Sequence, residues 1–196
     1  MKKLFLPVFA ILLATLLMAT IPTEAEAKIY EDTVRLHILA ASDSEEDQTL
    51  KLEIRDEVLK KYSTALKSAE NTEEAKAKIY SMLPEIEAFV QEEIIKRGYN
   101  YTASATLTEE WYDTRSYENF TLPQGNYYSL RIIIGEGVGK NWWCVMFPPL
   151  CLDIATENAP ADDGIVDYTK SEINLITNRK YTVKFKILEL LSDAFG

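Results

Sequence analysis

The hydrophobic period changes at Gly98, and this switch limits the available folds more than any other feature of the chain. Before it, apolar residues recur three and four apart; after it, they recur two apart, so helices come first and strands follow. Leu50, Ile54, Val58, Tyr62 and Leu66 fall four apart, with Leu59 beside them, which predicts a helix over 47–66 with one narrow inward stripe. Its other face carries Lys51, Arg55, Asp56, Lys60 and Lys61. Ser44 or Asp47 is placed to cap it. A second helix opens at a Thr72 cap and runs through Ala75, Ile79, Ile86, Val90 and Ile94. Pro84 has no amide to donate and is expected to bend or split it. Gly98 stops it just after Lys96 and Arg97, which suit a helix C-terminus.

One strand precedes these helices: VRLHIL over 34–39 sets Val34, Leu36 and Ile38 on one face and Arg35, His37 and Leu39 on the other. Beyond Gly98, strands are predicted over 99–107, 127–134, 142–147 and 181–188, where β-branched and aromatic residues dominate. The polar, aromatic stretch 109–125 reads as a long excursion or a ragged hairpin, and a short helix is predicted around 168–176. Gly135, Gly137 and Gly139 are spaced Gly-x-Gly-x-Gly ahead of another strand. A dinucleotide fingerprint needs different spacing and a following helix, so they read as a mobile hairpin connection or bulge. The order of elements predicts an α+β fold, a mostly antiparallel sheet with two main helices packed on one face of a single two-layer domain.

The first residues carry an address. Lys2 and Lys3 precede an uncharged stretch over 4–23, and Ala25-x-Ala27 supplies a small-residue cleavage pattern, so residues 1–27 read as a secretory signal and 28–196 as one domain. An uncleaved anchor is the competing reading, since the stretch is long enough to span a bilayer. The formal charge of -10 argues against nucleic acid and bare anionic lipid as partners, both of which repay positive charge.

Chemistry has few candidates. A nucleophile needs a base beside it, and the chain holds one histidine, His37. There is no Gly-x-Ser-x-Gly elbow and no Ser-x-x-Lys. His37, Cys144 and Cys151 make a thin ligand set for zinc, and the acidic run 43–47 lacks calcium-loop spacing. Cys144 and Cys151 are open to two readings, a disulfide or two buried thiols. No metal and no cofactor are expected. Trp142 and Trp143, adjacent in a strand, face opposite sides, so one is left for a loop or a partner unless the fold buries both.

Two stretches carry a resemblance beyond these patterns. RLHILAASDSEEDQTLKLEIRDEVL over 35–59 and LPQGNYYSLRIIIGEGVGKNWWCVMFPPLC over 122–151, behind the apolar leader, resemble the stage II sporulation protein R family. Ala41 departs from the family, which usually has asparagine in that turn. The resemblance implies a protein secreted from the forespore into the space between forespore and mother-cell membranes. There it would activate a membrane-embedded aspartic protease of the mother-cell membrane, leading to pro-sigma E processing. It implies a signal rather than an enzyme, with no small-molecule substrate and with transient membrane contact left open. On the family pattern we assign Arg35, His37, Asp43, Gly137, Asn141, Trp142 and Trp143 to partner binding. An exported hydrolase acting on cell wall or partner, and a structural envelope protein supporting receptor assembly, are the competing functions.

Overall fold

A computed structural model describes residues 7–11, 13–14, 24–117, 120–148 and 168–177. In chain order the elements are α1 (Glu24–Glu31), β1 (Val34–Leu39), α2 (Glu45–Lys67), α3 (Thr72–Lys96), β2 (Ala103–Tyr112), β3 (Arg115–Ser116), β4 (Thr121–Leu122), β5 (Gly125–Ile134), β6 (Asn141–Phe147) and α4 (Lys170–Thr177). Ser44 is the N-cap of α2, its hydroxyl accepting from the Asp47 amide at 3.2 Å. The cap of α3 is Asn71 rather than Thr72. Its amide oxygen accepts from the Glu74 N–H at 2.9 Å, while Thr72 enters the first turn. Pro84 does not split α3, which continues unbroken to Lys96. The carbonyl that proline leaves without its helical donor belongs to Tyr80, a residue that is 71% exposed.

The fold is α+β with a mixed sheet, strand order β2-β5-β1-β6. β1 pairs parallel with β5 and antiparallel with β6, and β2 pairs antiparallel with β5. Two of the three pairings are antiparallel, as expected; the parallel one lies at the centre, where β1 inserts between two strands that are sequence neighbours. All six β1 residues are buried, as a central strand covered on both faces requires. β2 continues to Tyr112, well beyond the expected end, because its register with β5 runs unbroken from Ala103↔Ile134 to Tyr112↔Gly125.

On one face Leu36, Ile38, Leu130 and Ile132 meet the apolar sides of the long helices, where Ile54, Val58, Ile79 and Ile86 are also sealed from solvent. Each such side chain contributes about 2 kcal/mol relative to exposure. α2 lies against β6 and β1, and α3 against β2 and β1. The other face is covered as well, so two layers do not describe the domain. Arg115 of β3 lies over the Trp143 ring, and Tyr117, just after β3, reaches Arg35. α4 packs on β4 and on α1, and α1 packs on β5.

The expected cleavage point after Ala27 falls inside α1, just ahead of Ile29, which is fully buried, and Tyr30, whose hydroxyl donates to the Gln124 carbonyl at 2.9 Å. The helix predicted around 168–176 is α4. The strand predicted over 181–188 lies outside the described residues. Among the described residues no helix is long and apolar enough to cross a membrane.

Candidate functional site: a locked crossover loop on a charged aromatic layer

Because β1 separates β5 from β6, the connection 135–140 is a crossover above the end of β1 and not a hairpin. It meets the turn that leaves β1, and the two are bonded along their length. The Gly139 amide donates to the Ala40 carbonyl at 3.0 Å, and the Lys140 amide donates to Asp43 Oδ1 at 2.7 Å. Lys51 Nζ reaches up from α2 to the Lys140 carbonyl at 2.9 Å and to Gln48 Oε1 at 2.6 Å. Gln48 in turn donates to the Ser42 carbonyl at 2.8 Å, and the Ser42 hydroxyl donates to Asp47 at 2.5 Å. Lys51 is only 3% exposed, so the face of α2 read as solvated is here an interior face. Burial holds its ammonium below the ordinary lysine value, although Asp43 pulls it back up.

Gly137 and Gly139 each have to be glycine for this crossing to form. Gly137 has φ +65, and a Cβ there would lie 2.6 Å from the Ile133 side chain. At Gly139 a Cβ would lie 2.2 Å from the Ser42 carbonyl oxygen, where only backbone is present to give way. The lock leaves Val138 at its tip, 73% exposed.

Beneath the crossing lies a layer of charged and aromatic side chains. His37 Nδ1 donates to Glu110 Oε2 at 3.0 Å, and its ring stacks on Trp143 at 5.6 Å between centroids. Glu110 also faces Arg131 Nε at 3.4 Å. The Arg115 guanidinium lies 4.0 Å from the Trp143 centroid; across the sheet, on the helix-facing side of β6, that of Arg55 lies 4.4 Å from the Trp142 centroid. Deeper still, Arg35 is fully buried, its guanidinium 3.9 Å from the Tyr112 centroid, and it donates to the Tyr117 hydroxyl at 2.7 Å. Burial pushes the Tyr112 and Tyr127 hydroxyls well above the ordinary phenol value. Burial also raises the Glu110 carboxyl, but the His37 hydrogen bond and the charges of His37 and Arg131 outweigh it and leave it below the usual 4.5.

A lowered carboxyl favours the folded state above its ordinary value and loses that effect as pH falls through the native value. Glu110→Gln is therefore expected to cost about 2 kcal/mol at pH 7. The difference from the natural protein should shrink as pH drops below 4.5, which urea unfolding at pH 7 and pH 3 would measure.

Comparison with known proteins bears on both elements. Residues 30–157 match the family described as stage II sporulation protein R. A stage II sporulation protein R of Bacillus subtilis (strain 168) is 37% identical over 187 residues, covering 86% of this chain and 84% of that one. The chain belongs to the stage II sporulation protein R family. Its general role is accordingly in sporulation signalling. No solved structure matches. The two stretches that carry the family pattern are the two sides of the crossing, β1 with the first turns of α2 on one side and β5, the loop and β6 on the other.

The seven residues assigned from sequence divide between surface and interior. Asp43 and Asn141 are exposed, and Gly137 shapes the loop. Trp142 and Trp143 are each half-buried beneath an arginine, on opposite faces of β6 as the strand period demands. Arg35 and His37 are buried. Sequence reasoning missed Lys51, Glu110, Arg115 and Gly139 as members of the site. Gly139 alone carried a signal, as the third glycine of a short run. Cys144 is buried and is not a free thiol; Cys151, with which a disulfide was one expectation, lies outside the described residues. Among the described residues no group of three or more metal-ligating side chains is assembled.

Proposed function

We propose that this chain is an exported intercompartmental signal that activates a membrane-embedded aspartic protease by contact and performs no chemistry itself. Residues 1–27 direct it from the forespore into the space between the forespore and mother-cell membranes, and 28–196 form the signalling domain. Binding there leads to pro-sigma E processing by the partner. The observation that carries this reading is the locked crossover with its protruding Val138. A loop held by bonds to two neighbouring elements presents an apolar tip at little entropic cost on binding, which is what a contact signal requires.

The test mixes the exported protein with the membrane-reconstituted protease and its pro-sigma substrate, following complex formation and cleavage together. Cleavage only in the presence of the protein, weakened about tenfold or more by Val138→Asp, supports the reading. A folded protein that neither binds nor triggers a competent protease refutes it. The acidic turn acts on approach: Asp43→Asn, Glu45→Gln and Glu46→Gln together are expected to slow association about twofold to threefold at low salt, with little effect at high salt. Asparagine keeps the acceptor for Lys140, so the crossing stays intact; complete loss of signalling in this folded variant would remove the steering role.

A hydrolytic reading draws on one arrangement, His37 with Nδ1 held by Glu110 and, among the described residues, no partner at Nε2. A folded His37→Gln variant that still triggers cleavage would dispose of it.

A further inference from the structure

Among the described residues β2 is an edge strand, and α3 covers only half of its edge. The Ala103 amide donates to Gln91 Oε1 at 2.8 Å and the Ala105 amide to Glu87 Oε2 at 3.0 Å, while Gln91 Nε2 donates to the Tyr101 carbonyl at 2.8 Å. These bonds establish that odd-numbered residues of β2 turn their backbone groups away from β5. The register with β5 contains no bulge, so Leu107, Glu109 and Trp111 share that phase. Among the described residues no group meets their amides. Uncovered edges recruit other strands, and proteins usually blunt them, as α3 does for the first half here.

Two features beside the open half select what would pair with it. Trp111 is 59% exposed and Tyr128 is 41% exposed, on the same face of the β2/β5 ribbon. Next to them, between α1, the start of α3 and the ribbon, lies a groove of about 330 Å³ lined by Glu31, Asp32, Glu73, Lys76, Glu109 and Tyr128. Lys76 pairs with Glu73 and lies over the Tyr128 ring, and Lys28 stands 3.9 Å from Asp32. Glu31 and Glu109 have no cation at ion-pair distance among the described residues.

We propose that the edge of β2 from Leu107 to Trp111 is a strand-addition site for an extended, basic segment of a protein partner. Main-chain bonds to the three outward amides would supply affinity, and lysine or arginine side chains in the groove, beside Glu31 and Glu109, would supply selectivity. The inference rests on the reading that this chain works by contact with a protein. A second copy fits poorly, because antiparallel pairing of two edges about Glu109 sets like charges opposite one another in a chain of net charge -10.

The probe is an octapeptide alternating lysine and valine, with its glutamate counterpart as control, added to the exported protein while backbone hydrogen exchange is followed. Exchange at the Leu107, Glu109 and Trp111 amides should slow about tenfold once the lysine peptide stands about tenfold above its Kd. Glu109→Lys should weaken that binding about fivefold or more with the strand intact. Glu109→Pro should abolish protection, since it deletes an outward amide and no β5 bond. No protection by the lysine peptide, or equal protection by the glutamate peptide, overturns the proposal. Protection that grows with protein concentration in the absence of peptide overturns it in favour of self-association. Lysine-peptide protection in a protein that fails to trigger the protease upholds the strand-addition site and defeats the signalling reading. Triggering without such protection does the reverse.

Discussion

Gly139→Ala is expected to destabilise the protein by roughly 2–4 kcal/mol and to remove most of its signalling. The added methyl would sit 2.2 Å from the Ser42 oxygen and 2.5 Å from its carbon, both backbone atoms of the turn that the crossover must clear. Nothing flexible stands there to absorb the overlap, so the loop has to lift. Lifting breaks the Gly139 bond to Ala40 and pulls Lys140 from Asp43 and Lys51. Lys51 is then left as a buried ammonium with a single acceptor, Gln48, which adds to the cost. Urea unfolding and the reconstituted cleavage reaction would measure the two effects. Val138→Ala, one residue away, should leave stability within about 0.5 kcal/mol because its side chain projects into solvent. Equal midpoints for Gly139→Ala and the natural protein would mean that the crossing is not the lock described above.

Arg35→Ala should cost about 3–5 kcal/mol, and Arg35→Met should recover most of that loss. The side chain fills the centre of the aromatic layer, between Tyr112 and Tyr127, and alanine would leave a cavity among rings that cannot collapse. No carboxylate pairs with it among the described residues; its charge is met by ring faces and by the Tyr117 hydroxyl. Among the described residues its Nε and Nη1 meet no hydrogen-bond partner. Volume therefore accounts for more of its contribution than charge does, and an unbranched apolar side chain of similar length relieves two unsatisfied donors. Thermal unfolding of both variants separates the two contributions. A methionine variant as unstable as the alanine one would show that the cation is required, through its stacking on Tyr112 and its bond to Tyr117.

These two positions show how differently the halves of the site are built. The crossing is held by backbone bonds and close approach, where small changes of shape matter most. The layer below it is held by packing of large planar groups, with Glu110 bonded to His37 and facing Arg131.

Local sequence determined the elements themselves. The four-residue spacing of Leu50, Ile54, Val58 and Tyr62 produced α2, the Ser44 hydroxyl set its start, and alternation over 34–39 produced β1, because each depends on contacts within a turn or along one strand. The period also put Trp142 and Trp143 on opposite faces. Only tertiary structure decided the strand order. Pairing of β1 with β5 and β6 joins residues about a hundred positions apart, and no period along the chain encodes which edges meet. That one insertion turned an expected hairpin into a crossover and brought Gly139 against Ser42. It also drew Lys51, on what reads as a solvated helix face, inward to a carbonyl that only the crossover supplies. Likewise β2 outran its expected end because β5 offered ten partners in register, leaving beyond the cover of α3 the open edge on which Trp111 stands.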